Sequence, residues 1–373
     1  MNDVSIAIVQ IVLGLLALVA GGELLVRGSS LLAAVVRISP LVIGLTVVAF
    51  GTSAPELAVS LQAAFVGKTD LAIGNAVGSN IFNVLFVLGL SALIAPLIVS
   101  RQLIRWDVPL MIAASVMLLV LGWDGRLGRL DGLILFGCLL AYVTWSIRQS
   151  RREGQASNNS DTPDVPKSTN FRNVAANLGL ICVGLVLLGV GAHELVGGAV
   201  VIATMLGVSE LIIGLTIVAL GTSLPEVVTS VIAAMRGERD IAVGNVVGSN
   251  LFNILCVLGL SSLIAPEGLH VAQAAIRFDI PVMIAVAAAC LPIFFTGHLI
   301  SRWEGGLFFF YYLAYTAYIV LEAMQHEFHR TLGGVMLVFV IPITVLTLLV
   351  ATYRVVYVTG QPTASEGEKS AGG

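Results

Sequence analysis

Long uninterrupted apolar runs are the feature that most restricts the fold of this chain. The sequence contains eleven of them, separated by charged residues or by Gly, Pro and Asn. A helix needs about 20 consecutive apolar residues to cross a hydrocarbon core of about 30 Å. Only 11 % of the 373 residues are charged, whereas soluble domains carry about 25 %. The expected fold is therefore an all-α polytopic membrane protein with the lipid bilayer as its solvent.

The runs form two sets of five, with a polar stretch between the sets and one run left over. The first set lies near 5–26, 40–66, 71–96, 107–123 and 130–147, and the second near 174–200, 210–235, 241–266, 278–297 and 305–324. The eleventh run, 333–357, has no counterpart. We therefore predict about 11 transmembrane helices, divided into a first repeat over 1–147, a cytoplasmic linker loop over 148–172, a second repeat over 173–325, and an extra helix with a disordered tail over 326–373.

The two sets are copies of one unit. Residues 43–96 and 213–266 align without a gap and share 35 identities over 54 positions. Because each unit has an odd number of spans, the second copy must insert upside down relative to the first. If the N-terminus is outside, fourteen Lys and Arg residues are cytoplasmic and five are external, as the positive-inside rule requires. Inverted repeats with interrupted helices are typical of secondary transporters whose site lies near the bilayer midplane.

Each copy contains an acidic residue deep inside an apolar run. The string Gly-Thr-Ser-x-Pro-Glu ends at Glu56 in the first copy and at Glu226 in the second. Eleven residues separate Glu56 from the break at Gly67, which is about 16 Å of helix or half a hydrocarbon core. Glu226 has the same depth from the opposite face, so the carboxylates are expected to meet at the midplane. An acid at that depth is costly unless something compensates its charge, and a bound cation does so.

The same segments supply neutral oxygens for such a cation. A proline before each glutamate removes a backbone donor and breaks the helix, which frees carbonyl groups to line a cavity. The second half of each segment reads Gly-Asn-x-Val-Gly-Ser-Asn-x-Phe-Asn, with a Ser and an Asn one helical turn apart. The predicted ligand set is Glu56, Glu226, Asn83, Asn253, Thr52, Ser53, Thr222, Ser223, Ser79, Ser249 and the carbonyl groups of Ala49 and Ala219.

An all-oxygen set of this kind suits Ca2+, which takes six to eight oxygen ligands, and Na+ also accepts oxygen ligands. Two carboxylates neutralise one Ca2+, or two Na+ with a third Na+ held by neutral oxygens. The two occupancies exclude each other, as antiport requires. The sequence therefore predicts a secondary transporter that exchanges Na+ for Ca2+ by alternating access in the plasma or bacterial inner membrane.

The paired GTSAPE/GTSLPE and GNAVGSNIFN/GNVVGSNLFN segments resemble the alpha repeats of the sodium/calcium exchanger family, within the cation/calcium antiporter superfamily. The resemblance implies that Glu56 and Glu226 are the central ligands and that the neighbouring hydroxyl and amide side chains complete the site. It also implies alternating access by sliding of the first and sixth helices across the core. This chain has Asn253 where some prokaryotic members carry Asp, so its site has one ionisable group fewer.

Several alternatives stay open at the level of sequence. Ca2+/H+ exchange is one, because protonation competes with metal binding at a buried carboxylate, and K+-dependent Na+/Ca2+ exchange is another. An intramembrane hydrolase using Ser53 or Ser223 would need a buried base, which neither segment supplies, so we expect no enzyme and no catalytic residue. A passive channel is less consistent with duplicated broken helices. We expect no resident cofactor and no nucleic-acid partner, and the sequence indicates no protein partner.

Overall fold

The computed structural model describes residues 3–157, 171–295, 297–345 and 349. Within these residues, nine helices are long and apolar enough to cross a membrane. Two shorter helices, Pro40–Thr52 and Ala54–Phe65, are bent by 46° at the break between them and together make a tenth span. The predicted all-α polytopic membrane fold is confirmed.

We number the helices of the described residues α1 to α13 in chain order. The first half contains α1 (Asp3–Val36), α2 (Pro40–Thr52), α3 (Ala54–Phe65), α4 (Thr69–Ile94), α5 (Leu103–Leu121) and α6 (Arg129–Ser157). The second half contains α7 (Phe171–Met205), α8 (210–221), α9 (Leu224–Met235), α10 (Arg239–Ile264), α11 (Ala275–Phe295), α12 (Arg302–Ala323) and α13 (Phe328–Val345).

The helices repeat with the offset found in the sequence. Helices α8 and α9 follow one another across Thr222 and Ser223, as α2 and α3 do across Ser53. Turns of π-helix also recur at matching places, at Gly44–Val48 and Gly214–Val218, and at Asn83–Leu88 and Asn253–Leu258. Such turns are rare and are frequent at functional sites. With α8 and α9 counted together as the counterpart of the bent pair α2 and α3, the described helices follow the predicted pattern of five, five and one.

Two short antiparallel ribbons tie the repeats together. Strand β1 (Leu97–Ile98) pairs with β4 (Leu299–Ile300), with Leu97 opposite Ile300. Strand β2 (Arg126–Leu127) pairs with β3 (Leu269–His270), with Arg126 opposite His270. Each ribbon joins a connector of one repeat to a connector of the other, so the helix ends of the two repeats are fixed relative to each other.

Glycines bring α1 and α7 into close antiparallel contact. A Cβ atom added to Gly14 would lie 2.7 Å from the Gly191 carbonyl oxygen, and one added to Gly21 would lie 2.8 Å from that of Gly184. Gly14 and Gly21 are seven residues apart, as are Gly184 and Gly191, so the contact recurs every two turns. Small residues at a membrane interface let helix backbones approach closely. The two longest helices therefore pack as one continuous pair.

The centre of the molecule is formed by α4 and α10, the helices that carry the Asn- and Ser-rich segments. The most apolar window of α10 is entirely buried, compared with 22 % of the corresponding window of α1. Asn80, Asn245 and Asn250 are all buried in these two helices. Because lipid offers polar side chains no hydrogen-bond partners, the surrounding helices must shield these segments.

Several predicted boundaries differ from the structure. Helix α1 runs to Val36 rather than to 26, and α6 runs to Ser157, so the first ten residues of the predicted linker loop are helical. This part of the linker is rich in Arg, Gln, Glu and Ala, which are good helix formers. Residues 158–170 of the linker, the predicted end of the last run at 357 and the predicted disordered tail lie outside the described residues.

Candidate cation-binding site

Glu56 and Glu226 each lie in the first turn of a helix that begins at the break inside a span, α3 and α9 respectively. The residue that precedes each helix is a serine in the sparsely populated bridge region of backbone space, with φ/ψ of −82°/5° at Ser53 and −93°/7° at Ser223. Pro55 follows in the first turn, where its missing N–H is not needed. Both glutamates have 0 % exposure, so the break in each span places a fully buried carboxyl group.

The two repeats exchange hydrogen bonds across the site. The Ser223 hydroxyl donates to Glu56 Oε1 at 2.8 Å, and the Ser53 hydroxyl donates to Glu226 Oε1 at 3.2 Å. In the described part of the chain, the second carboxyl oxygen of each glutamate has no hydrogen-bond partner, although both atoms are buried. Each carboxyl group is therefore held through one oxygen by the opposite repeat, and its other oxygen remains available as an acceptor or ligand.

Helices α4 and α10 add more polar atoms to this place. Ser79 lies 3.1 Å from the Ser223 hydroxyl, and Ser249 lies 3.4 Å from the Thr52 hydroxyl. Asn83 is fully buried, and neither atom of its amide group has a partner within the described residues. Asn253 donates to Asn80 Oδ1 at 3.1 Å, but its own Oδ1 is unpartnered among the residues that the structure describes.

The unpartnered atoms have a common chemistry. A buried polar atom without a partner costs about 1–3 kcal/mol, and more if it is charged, so several such atoms on neighbouring elements need compensation. Among the predicted ligands, the unpartnered oxygen atoms are those of two carboxyl groups, two amide groups and the Thr222 hydroxyl. These are hard ligands of the kind that Ca2+ binds. The described residues contain no group of three or more His, Cys, Asp or Glu that could hold a metal, so the charge of this site comes from its two carboxyl groups.

The two halves of the site are not equivalent. A Cβ atom added to Gly44 of α2 would lie 3.0 Å from the Ile241 carbonyl oxygen of α10, whereas one added to Gly214 of α8 would meet no described atom within 4 Å. Likewise Gly244 of α10 is closely packed, whereas a Cβ atom added to Gly74 of α4 would meet no described atom within 4 Å. Helix α2 is therefore packed against α10, while no such close contact joins α8 and α4 among the described residues.

The threonines show the same difference. Thr52 donates to Asn245 Oδ1 at 3.0 Å, whereas the Thr222 hydroxyl has no partner in the described ranges. Ala49 is buried and its carbonyl accepts the Ser53 N–H at 3.0 Å, but Ala219 is exposed and the Ser223 N–H bonds Leu220 instead. The Ala49 carbonyl is thus not freed by the helix break as predicted, because the chain stays helical up to Thr52.

The structure brings most of the predicted ligands together. Glu56, Ser223 and Ser79 form one hydrogen-bonded group, Ser53 and Glu226 form a second, and Thr52 and Ser249 a third. Thr222 lies next to the Glu56 carboxyl group, but neither Thr222 nor Asn83 forms a well-aligned hydrogen bond with another described ligand. That these residues ligate a transported ion stays a prediction.

Sequence reasoning missed two serines that lie one turn after the glutamates. Asn75 donates to Ser60 at 3.0 Å and to the Glu56 carbonyl at 3.2 Å, and Asn245 donates to Ser230 at 2.9 Å. These bonds join α3 to α4 and α9 to α10 next to the carboxyl groups. The signal was present, because a serine follows each glutamate by four residues in both copies and so shares its helix face.

Comparison with known proteins decides the family. A family model described as sodium/calcium exchanger protein matches residues 6–148 and 176–321, which together make up most of the chain. The chain belongs to the sodium/calcium exchanger family. The match falls on both five-helix repeats and ends before α13. The predicted resemblance is therefore confirmed, and the family is one of transporters rather than of enzymes.

Individual proteins are similar to this chain over most of their length. The chain is 34 % identical over 345 residues to the sodium/calcium exchanger MaX1 of Methanosarcina acetivorans, covering 84 % of this chain and 98 % of that one. It is 37 % identical over 290 residues to the inner membrane protein YrbG of Escherichia coli, covering 77 % and 88 %. A solved structure of the sodium-calcium exchanger NCX_Mj matches with a TM-score of 0.73 at 33 % identity, covering 84 % of this chain and 99 % of that chain. The protein is thus an integral membrane cation transporter of the sodium/calcium exchanger type.

Proposed function

We propose that the protein exchanges Na+ for Ca2+ at the site between the two repeats, with Glu56 and Glu226 as the central ligands. The observation that carries this proposal is the pair of fully buried carboxyl groups, each with one unpartnered oxygen among the described residues. A carboxylate buried without a cation is strongly unfavourable. Solved structures of NCX_Mj were obtained after soaking with Na+ and with Sr2+, which supports ions of these two charges as the substrates.

The charge of the site means that Na+ and Ca2+ cannot occupy it at the same time. One Ca2+, or two Na+, neutralises Glu56 and Glu226, and both ions compete for the same carboxyl oxygens. The hydroxyl groups that now donate to the carboxylates, Ser53 and Ser223, can turn their lone pairs towards an ion because a hydroxyl is both donor and acceptor. Because the site holds either Na+ or Ca2+ at any one time, the fluxes of the two ions are coupled.

We infer alternating access from the inequivalence of the two halves. Helices α2 and α10 are closely packed beside the site, whereas the described residues of α8 and α4 show no such close packing. Inverted repeats can exchange these two packings without a change in sequence, and the result opens the site to the other side of the membrane. If the N-terminus is outside and the central loop cytoplasmic, as the Lys and Arg distribution predicts, the unpacked side is the external one.

The flux experiment that tests this proposal uses proteoliposomes loaded with Na+ and diluted into Na+-free buffer, with uptake of radioactive Ca2+ as the readout. Uptake is expected to require internal Na+ and to disappear in Glu56→Gln and in Glu226→Gln. Separate arms impose a pH gradient or add external K+. Uptake that follows the pH gradient and ignores Na+ would replace the proposal with Ca2+/H+ exchange, and an absolute requirement for K+ would replace it with K+-dependent exchange.

A further inference from the structure

The last helix, α13, encloses a groove with α11 and α12 on the periphery of the second repeat. The groove has a volume of about 850 Å3 and an overwhelmingly apolar lining, with Val282 and Ala289 on α11, Leu307 on α12 and Leu337 on α13. The groove does not belong to the cation site, because none of the predicted ligands lines it. Two of its lining residues are hydrogen-bonded to each other: the Tyr311 hydroxyl donates to Thr344 Oγ1 at 2.6 Å and so connects α12 to α13.

One end of this groove is basic. Arg277 at the start of α11 and His329 and Arg330 at the start of α13 all line it. The acidic side chains nearest to this end among the described residues, Asp279 and Glu322, lie next to Tyr315 and Tyr318 but do not line the groove. The ring of Tyr318 contacts both helices: its centroid lies 5.3 Å from that of Phe278, the residue after Arg277, and 6.1 Å from that of His329. The basic residues of α11 and α13 therefore lie at the same end of the groove. Arg277 and Arg330 are exposed, and neither forms a salt bridge within the described part of the chain.

The apolar part of the groove has the depth of one membrane leaflet. The α12 residues that line it run from Tyr318 at the basic end to Leu307, which is about 16 Å of helix at 1.5 Å per residue. Half of a hydrocarbon core of about 30 Å is about 15 Å. A ligand that fits both parts therefore has an anionic head at the membrane surface and an apolar chain that reaches the midplane.

We propose that this groove binds one anionic phospholipid. Its phosphate lies between Arg277 and Arg330, since guanidinium groups match the geometry of phosphate oxygens and can bind them through two parallel hydrogen bonds. One acyl chain fills the groove between α11, α12 and α13. The described part of α13 has no buried residue in its spanning window. The lipid thereby holds this helix against the second repeat.

The internal repeat offers matched controls for this proposal. Arg105 and Ala113 of α5 are exposed residues that correspond to Arg277 and Ala285 of α11, 172 positions earlier. Helix α13 has no counterpart in the first repeat, so neither control position is part of a three-helix groove. Substitutions at these two positions change the same residue types in the same helical context and leave the groove intact.

The test is native mass spectrometry of the purified full-length protein in detergent, titrated with phosphatidylglycerol or phosphatidylcholine. The wild type is expected to retain one phosphatidylglycerol in preference to phosphatidylcholine. Arg277→Gln and Arg330→Gln are each expected to weaken that binding by about fivefold, the effect of one basic residue near an anionic membrane surface. Arg105→Gln is expected to bind as the wild type does.

A second variant tests the acyl-chain part without altering charge. Ala285→Trp fills the groove and is expected to abolish retention of phosphatidylglycerol, whereas Ala113→Trp is expected to leave it unchanged. Equal retention of the two lipids, unchanged binding in both arginine variants, or unchanged binding in Ala285→Trp would each overturn the proposal. A wild type that retains no lipid and instead forms dimers that Ala285→Trp dissociates would assign the groove to a second copy of the chain.

Discussion

At the scale of residues, the site depends on crossed contacts between the two repeats. Ser223 of the second repeat holds Glu56 of the first, and Ser53 of the first holds Glu226 of the second. Neither repeat therefore contains a complete carboxylate environment of its own. This arrangement explains why both copies of the Gly-Thr-Ser-x-Pro-Glu string carry a serine three residues before the glutamate.

Removing one of these hydroxyl groups is expected to weaken cation binding. Ser223→Ala deletes an oxygen that contacts both Glu56 and Ser79, and a hydrogen bond to a charged group contributes about 1.5–3 kcal/mol. We expect the Ca2+ concentration for half-maximal uptake to rise by at least about tenfold. The control is Ser115→Ala, whose hydroxyl donates only to the Met111 carbonyl of its own helix. Equal Ca2+ dependence of the two variants would contradict this role of Ser223.

The identities of the site residues were predictable, but their pairing was not. A carboxyl group in mid-membrane is so unfavourable that its presence alone marks the site, and the duplicated string doubles that signal. Which serine meets which glutamate depends on how two inverted helices cross, and no residue spacing encodes that crossing. The same limit hid the bond of Thr52 to Asn245, which joins positions 193 residues apart.

At the scale of elements, the contact between α1 and α7 is set by glycine. A methyl group on Gly21 would lie 2.8 Å from backbone atoms of α7, too close for a real Cβ atom, so the helices would have to separate. The sequence predicted both helices but not this contact, since the glycines also fit any other close helix packing. A sliding movement of α1 and α7, which the family resemblance implies, would carry both helices together because their backbones are in contact.

Widening this interface is expected to destabilise the protein and slow transport. Gly21→Ala overpacks a closed contact, which costs about 1–3 kcal/mol, and we expect a lower melting temperature and slower Na+-dependent Ca2+ uptake. Gly189→Ala is the control on α7, because no described atom lies within 4 Å of the added Cβ. Alanine favours a helix over glycine by about 1 kcal/mol, so this control should be neutral or stabilising. A stabilising effect of Gly21→Ala would show that the close approach is not needed.

Helix α1 also contacts the connector between α9 and α10. Glu23 forms a salt bridge with Arg236, with the Arg236 Nε atom 2.6 Å from the carboxylate, and the Ser30 hydroxyl donates to Glu238 at 2.7 Å. The repeat counterparts of Glu23 and Arg236 are His193 and Val66, which cannot form the same pair. Among the described residues, this contact is found at the end of the molecule where α2 is packed against α10, and it favours the closed packing there.

Breaking this salt bridge is expected to shift the balance between the two packings. Glu23→Gln removes an exposed pair that contributes at most about 1 kcal/mol, so we expect the rate of labelling of a cysteine at Leu45 to rise by up to about fivefold. The label is a water-soluble thiol reagent, applied to a background in which Cys138, Cys182, Cys256 and Cys290 are replaced. Glu267→Gln serves as the control at an exposed acid in another connector. Unchanged labelling would remove Glu23 from this equilibrium.

At the scale of the whole molecule, the sequence predicts the inverted duplication but not the state in which it is found. The 35 identities between the aligned segments would allow a symmetric structure, yet Gly44 is closely packed and Gly214 has no described atom within 4 Å of an added Cβ. The two halves have equivalent residues at these positions, so the difference in packing is a difference in conformation. Composition and residue spacing do not determine that conformation. The end of α6 at Ser157 was also beyond prediction, because a polar helix that extends past the membrane has no apolar limit to mark its end.

The ten-helix core is expected to transport without α13. The family match ends at residue 321, and the spanning window of α13 has no buried residue. A chain truncated after Gln325 should retain Na+-dependent Ca2+ uptake in proteoliposomes, measured per folded molecule after size-exclusion chromatography. A folded, monodisperse truncated protein without uptake would assign α13 to the transport cycle itself.

The most direct test of the central claim is equilibrium binding of Ca2+ to the purified wild type, Glu56→Gln and Glu226→Gln, with Na+ as competitor. Removing one of two buried charges that share a cation costs about 3–5 kcal/mol. We therefore predict one Ca2+ per wild-type chain, displaced by Na+, and affinity lower by at least about a hundredfold in each variant. Ca2+ binding of wild-type affinity in either variant, or binding that Na+ does not displace, would contradict a shared site built on the two carboxylates.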